Sequence, residues 1–316
     1  MALNLRSIIC VPVRGKAGIL GILYVDSDRA GHQYSYGDML LTTAVGNSAG
    51  LAIENARMHQ EMLEKQRIEQ EISHAWIIQQ GFLIKNWPEG ETHFEVYGET
   101  RPAKTVGGDF YDFVRPDPDH IGLLIGDVSG KGIPAALTMA QLLAEFRVHA
   151  QHAATPGEML EALNADLVIR SQRGMFCTLC YVLLDLRTGE VICANAGHQP
   201  VLCIGVSGAV EHGAATGPPT GILSDMAWKE TSWSLAPGDT LLMYTDGIVE
   251  ACDPAATRSQ DERKDYGDDN LRRVARQMYG VHPKTLIDAV NKDVIVFCGA
   301  GAPHDDCTLV GARYLG

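Results

Sequence analysis

The sequence has 316 residues, 46% hydrophobic and 21% charged, the composition of a folded globular protein. That length holds one domain of roughly 200 residues and a smaller one. No stretch is apolar for long enough to span a membrane as a helix, and the start MALNLRSIICVPV is too short and weakly patterned for a signal peptide. The net charge of −13 comes from residue 87 onward, where 18 basic residues face 31 acidic ones; residues 1–56 and 57–86 each balance four against four. An acidic chain without a basic patch argues against nucleic-acid binding.

Residues 7–13 and 18–26 read as two strands joined by the Arg14–Gly15–Lys16 turn. A helix is expected from about Tyr34 to Asn55, with Ser35 or Tyr36 near its start. The helical pattern continues without proline through ARMHQEMLEKQRIEQEISHAWIIQQGFLI, with Gly81 its first weakness and Pro88 its expected end. Met58, Met62, Lys65, Ile68, Ile72 and Ala75 recur at three- and four-residue spacings. That stripe serves either a parallel helix pair or an amphipathic helix packed on its own chain, and Lys65 weakens the first reading.

From Thr92 the pattern turns to strands: HFEVYGET, FYDFV, HIGLLIGDVS, MFCTLCYVLLDL, GEVICANAG, PVLCIG, DTLLMYTDG and DDCTLVGARYL. Helices are expected at Pro134–Ala150, Pro156–Ser171, Asn270–Tyr279 and Pro283–Val296. Strands in pairs around two central helices predict an α+β fold, a β-sandwich of two antiparallel sheets flanked by helices. The boundaries expected are 1–56, a helical linker over 57–90, and a larger domain over 91–316.

Eight cysteines make no regular framework, and the Cys177–Cys180 pair sits inside a strand pattern, which points to core packing rather than zinc or redox chemistry. The cytoplasm is the compartment expected from that usage. Acidic residues are more informative. Asp109 in VGGDFYD, Asp127 in LLIGDVSGKG, Asp246 in LLMYTDGIVEA, and Asp305 and Asp306 in PHDDCTLV stand where apolar strands open into loops. Any one of them could be a turn residue. Five together at sheet edges repel one another unless a divalent cation offsets the charge, and an all-oxygen donor set suits magnesium or manganese. Gly107–Gly108 and Gly130–Gly132 would let backbone come close to such a site, and Lys131 either steers an anion or is solvated.

Two resemblances follow. VPV…GILYVDS with SYGDMLLTTAVGNSAGLAIENARMH, over residues 7–59, resembles the C-terminal half of a GAF sensor domain. GGDFYD, IGDVSGKGIPAAL, NAGHQP, GPPTGIL, LAPGDTLLMYTDGIVEA and DDCTLV, in that order over residues 92–314, resemble the SpoIIE-type phosphatases, the bacterial branch of the protein phosphatase 2C superfamily. The second resemblance implies a metal-dependent serine/threonine phosphatase with two divalent cations, Mn2+ or Mg2+. It implies that Asp127 bridges the two ions with the Val128 carbonyl on one of them, that Asp246 and Asp305 complete the opposite ion, that Asp109 holds the first, and that Asp306 supports or joins the metal set. Asp127, Asp109 and Asp246 are the catalytic positions it assigns. Asn195, Gly197 and His198 match a structural turn, with proton transfer the second reading for His198.

Direct hydrolysis without a covalent intermediate is implied. The implied partner is a phosphorylated regulatory protein, foremost a STAS-type anti-sigma-factor antagonist, with control through the linker and a homodimer formed by its helix. HAWIIQQGFLIKNWP departs from the family's linker pattern at Trp76, Gly81 and Trp87. Arg101 and Lys104 are candidates to contact phosphate, and 253–269 resembles a flap. GGDFY is similar in letters to the GGDEF loop of diguanylate cyclases, but YTDG and DDCT have no task there. A degenerate, non-catalytic fold that binds a partner is the other alternative, and intact aspartates argue against it.

Overall fold

The computed structural model describes residues 7–16, 18–28, 33–84, 86–103, 105–150, 152–153, 155–170, 174–252, 264–299 and 305–316. Lys104 and most of the expected flap, 253–263, lie outside them. The chain forms two compact units, Met1–Glu71 and Ile72–Gly316. The expected linker is therefore divided between them, its last turns and exit segment belonging with the larger unit.

In the first unit, β1 (Ser7–Gly15) and β2 (Gly18–Ser27) form an antiparallel hairpin, followed by α1 (Tyr36–Gln80). Alternation buries Ile9, Val11 and Val13 on one face of β1. The hairpin turn is tied down where the Lys16 amide donates to both Glu54 carboxylate oxygens at 3.0–3.1 Å. Ser35 starts α1 as a reciprocal cap: its Oγ accepts from the Asp38 amide at 3.2 Å, while Asp38 Oδ2 accepts from the Ser35 amide at 2.7 Å. Met58, Met62 and Ile68 lie exposed along the helix. No helix among the described residues is long and apolar enough to cross a membrane.

α1 stops at Gln80, earlier than the Pro88 end expected, because the Gly81 amide turns back to Ile78 O at 2.9 Å and Phe82 to Gln79 O at 3.0 Å. Beyond it, within the larger unit, Trp87 stacks on Tyr111 at 5.6 Å.

The larger unit contains β3 (Phe94–Arg101), β4 (Asp109–Asp117), β5 (His120–Val128), α2 (Ile133–His149), α3 (Pro156–Arg170), β6 (Cys177–Asp185), β7 (Glu190–Ala196) and β8 (Val201–Gly205). It continues with β9 (Gly208–His212), β10 (Glu230–Ser234), β11 (Thr240–Tyr244), α4 (Asp246–Val249), α5 (Gly267–Gln277), α6 (Pro283–Cys298) and β12 (Cys307–Tyr314). One sheet runs β10-β7-β6-β5-β4 and the other β3-β12-β11-β8-β9, every pairing antiparallel. The α+β sandwich expected from sequence is thus present.

Strand alternation builds its layers. Ile121, Leu123 and Ile125 of β5 point between the sheets, with Val182, Val191, Met243 and Val310. Leu124 and Val128 point outward, under Met139, Leu142 and Phe146 of α2 and Leu160 and Leu163 of α3. On the opposite outer face, Leu242 and Leu309 lie under Leu271 of α5 and Leu286, Ile287 and Val290 of α6. Cys177 and Cys180 fall on opposite faces of β6, in different core layers, so their spacing is a packing feature.

Candidate active site

The strand ends at one edge of the sandwich bring the predicted aspartates together. Asp109 opens β4 and Asp127 sits near the end of β5, and the register makes them direct cross-strand partners. Both therefore project to the same side. Asp246 is the first residue of α4, a single turn immediately after β11, rather than a loop residue, and Asp305 and Asp306 immediately precede β12.

Burial and mutual repulsion dominate the electrostatics. Asp109 is almost fully buried, and its carboxyl is held well above the usual range by desolvation and then by Asp127, with hydrogen bonds from Thr245 and Thr308 opposing. Asp127 is pushed up to about 7 by desolvation, Asp246 and Asp305, despite a hydrogen bond with Asp109. Asp246 is raised by desolvation and by Asp305. Lys131 answers part of this charge, its Nζ lying 2.8 Å from Asp305 Oδ2; it is paired, where the sequence left it between solvent and anion.

Three acids raised against ionisation, Asp109, Asp127 and Asp246, with Asp305 beside them, are what a hard divalent cation relieves. The donors are all oxygen, so the residues fit magnesium or manganese. Asp109, Asp127, Asp246, Asp305 and the Val128 carbonyl are the groups available to hold the ions. Asp306 does something different. Its Oδ1 accepts from the Ala103 amide at 2.8 Å and its Oδ2 from the Gly108 amide at 2.9 Å, so it clamps the 101–108 loop that delivers Asp109. A side chain at Gly107 would overlap that carboxylate, and one at Gly247 would overlap the Asp306 carbonyl, which is why glycines stand beside both aspartate motifs.

Three residues escaped the sequence reading. Thr245, fully buried, donates from Oγ1 to Asp109 Oδ2 at 2.7 Å and accepts the Thr308 amide at 3.0 Å. Thr308 Oγ1 lies 2.6 Å from Thr100 Oγ1. Both threonines lie inside motifs already quoted, YTDG and DDCT, which was the available signal. Gln79 carried none. From the last turn of α1 its Nε2 donates to Gly107 O at 2.7 Å, while its Oε1 accepts the Gly107 amide at 3.4 Å. A second tie lies alongside: Arg147 of α2 donates from Nη2 to Phe82 O at 2.7 Å and from Nε to the buried Asp112 carboxylate at 2.6 Å.

The NAGH segment is a turn. Asn195 Oδ1 accepts the His198 amide at 2.8 Å, and its Nδ2 reaches the carbonyls of His198, Gln199 and Gly213. His198 Nδ1 lies 2.8 Å from Thr178 Oγ1, and burial pushes the ring's pKa down to about 4, the Tyr244 backbone offsetting this only in part. The Asn195 turn and the Thr178 contact give the ring an architectural place. The Gly217–Gly221 loop packs beside the core as expected, with Thr220 bonded to Cys177 and Gly221 to Asn164. Arg101 is the cross-strand partner of Cys307 and bonds Glu99 at 2.9 Å.

Among the described residues, a trio whose possible metal-ligating atoms all lie within 4.8 Å occurs elsewhere, at Glu145, His149 and Asp166 between α2 and α3. There His149 Nε2 is already paired with Asp166 at 2.7 Å.

The two-sheet antiparallel sandwich with outer helices, carrying carboxylates gathered at one edge, has the fold of solved protein phosphatase 2C domains. Residues 117–315 match the family described as stage II sporulation protein E (SpoIIE), and the chain belongs to that family. It is 31% identical over 193 residues to phosphoserine phosphatase RsbU of Bacillus subtilis, covering 59% of this chain and 55% of RsbU. It is 26% identical over 261 residues to protein IcfG of Synechocystis sp., covering 74% of this chain and 40% of IcfG. The chain thus spans about half the length of the curated relatives it matches. In fold it is similar to the SiaA-PP2C domain of Pseudomonas aeruginosa, with a TM-score of 0.66 at 19% identity, covering 79% of this chain and 98% of that domain.

Proposed function

We propose that the chain is a metal-dependent protein serine/threonine phosphatase whose substrate is a phosphorylated regulatory protein, foremost a STAS-type anti-sigma-factor antagonist. The observation that carries this is the cross-strand pair Asp109–Asp127 gathered with Asp246 and Asp305, in which burial and mutual repulsion raise Asp109, Asp127 and Asp246 against ionisation. Similarity to RsbU, named a phosphoserine phosphatase, supports the substrate class.

Two divalent cations, Mn2+ or Mg2+, would be held by Asp109, Asp127, Asp246, Asp305 and the Val128 carbonyl. When bound, they supply the charge that activates water and offsets charge building on the phosphoryl group. The chain's own residues do the positioning. Thr245 fixes one Asp109 oxygen, Asp306 holds the 101–108 loop, and the sheet register sets Asp127 opposite Asp109. Lys131, beside Asp305 and on the exposed side, is placed to meet an anion.

Regulation through the linker is part of the same proposal. Gln79 holds the loop before Asp109, and Phe82 holds Arg147 of α2, the helix that follows the Asp127 loop. A rotation of α1 would therefore reach both aspartates. The exposed Met58, Met62 and Ile68 support pairing of α1 with a second copy, and residues 7–59 would be the back part of a GAF-like sensor. The first experiment is hydrolysis of a chromogenic aryl phosphate with manganese, magnesium or chelator, beside Asp127→Asn. Metal-dependent turnover lost in the variant is the expected result; equal turnover in chelator, or in the variant, refutes the reading.

A further inference from the structure

The turn after β7 places one imidazole between the two sheets. His198 is 6% exposed, and its Nδ1 lies 2.8 Å from Thr178 Oγ1 on β6. Thr178 is the direct cross-strand partner of Asp127 on β5, so their side chains share one side of the sheet with Cβ atoms about 5 Å apart. The ring's other contact is the Tyr244 backbone at the end of β11, in the second sheet, although its Nε2 makes no full hydrogen bond. Tyr244 is followed by Thr245, whose Oγ1 holds Asp109 Oδ2 at 2.7 Å, and then by Asp246. Asp109 is itself the cross-strand partner of Asp127. The contacts therefore close on themselves, running from Asp127 through Thr178, His198, Tyr244, Thr245 and Asp109 back to Asp127. His198 is held in place from its own side: Asn195 Oδ1 accepts its amide at 2.8 Å, and Gly197 is bridged to Leu179, the residue after Thr178.

We infer that His198, acting through Thr178, is a positioning residue that sets the reach between Asp127 on one sheet and Asp246 on the other. The inference rests on the phosphatase reading above and adds which side chain fixes the span across the site. The two sheets deliver different carboxylates: Asp109 and Asp127 come from β4 and β5, Asp246 and Asp305 from the ends of β11 and β12. Within one sheet, ladder hydrogen bonds fix Asp109 against Asp127. Between the sheets the contact is mainly apolar, and apolar contact is non-directional. A bound cation tolerates only about 0.2 Å of error in its oxygen distances, so the span needs directed contacts as well. Thr245 supplies one by reaching from the second sheet to Asp109. His198 supplies the other, because a rigid ring with a polar atom on each edge meets Thr178 and the Tyr244 backbone at once. Groups that orient metal-holding side chains in this way carry much of a site's affinity.

The test measures manganese binding to the full chain without substrate, following the electron paramagnetic resonance signal of the free ion. Thr178→Val keeps the branched shape and removes the hydroxyl; it is expected to raise the manganese dissociation constant about ten-fold. Thr178→Ser restores the hydroxyl and is expected to bind within about two-fold of the native protein. His198→Asn keeps a polar group at the Nδ1 position but falls short of Tyr244, and is expected to weaken binding as Thr178→Val does. The double variant Thr178→Val, His198→Asn should bind no more weakly than the weaker single variant, because both cut the same strut. Native affinity in Thr178→Val, with only its urea midpoint lowered, overturns the inference, since the ring would then be packing alone. Equal weakening in Thr178→Ser and Thr178→Val overturns it too, as do losses that add in the double variant. Should Thr178→Val fail to fold, His198→Asn decides, and native affinity there is equally fatal. Native protein that binds manganese beside unaffected variants sinks the strut alone, whereas native protein that binds none sinks the phosphatase reading itself.

Discussion

His198 offers a test in which the pH dependence of stability reports a single buried ring. Its folded pKa is about 4 against an ordinary 6.5, because burial excludes the charged form. On acidification the unfolded chain takes up the proton first. Stability from this group is therefore complete above about pH 6.5 and is lost progressively as pH falls towards 4. At pH 5.0 the loss comes to about 2 kcal/mol, and at pH 7.5 it is close to zero. His198→Gln removes the titration while keeping a polar group beside Thr178. The assay is urea unfolding of native and variant protein in chelator at both pH values, so that other titrating groups cancel in the difference. The variant is expected to be less stable at pH 7.5, where it loses the Thr178 contact, and to recover about 2 kcal/mol of that difference at pH 5.0. A difference that stays the same at both pH values would refute the buried, neutral ring and reopen proton transfer at this position.

Asp306→Ala removes two charge-assisted bonds to the 101–108 loop, expected to cost about 2–4 kcal/mol in urea unfolding, partly offset by relief of repulsion on Asp109, Asp127 and Asp246. An unchanged midpoint would show that the clamp carries no stability. Gln79→Ala strands both polar groups of Gly107 and is expected to raise the manganese concentration needed for half-maximal aryl phosphate turnover several-fold; an unchanged metal titration counts against linker coupling. Arg147→Met leaves Asp112 buried without its cation, costing about 2–3 kcal/mol, less than for a fully buried pair because Arg147 is part exposed. Manganese at a hundred times its dissociation constant should add about 2.7 kcal/mol of unfolding free energy, and none in Asp127→Asn.

Much of the fold was legible because local patterns carry it. Continuous apolar runs marked eight strands of the larger unit, and prolines and capping residues marked its longer helices. β9 and β10 left no comparable signal: they are short edge strands, partly exposed, and edges are kept short and polar. The end of α1 was misjudged by several residues because Gly81 outweighs the more distant proline once a tertiary surface is available. The five aspartates were visible in their motifs, and the family's order of motifs gave them roles.

Their arrangement was not visible. Asp109 and Asp127 face each other through the register of β4 and β5. Thr245 reaches Asp109 across 136 residues of chain, and Asp306 reaches Gly108 across 198. Gln79 enters the site through two hydrogen bonds to the Gly107 backbone, which leave no trace in a local pattern. By itself the sequence determined which residues are apolar, which are acidic, and where strands and helices form, since those follow from side-chain chemistry and short-range periodicity. Only the tertiary structure decided which acids are buried, which are neutralised by Lys131, and which serve as a clamp, because burial and repulsion depend on neighbours that the fold alone brings together.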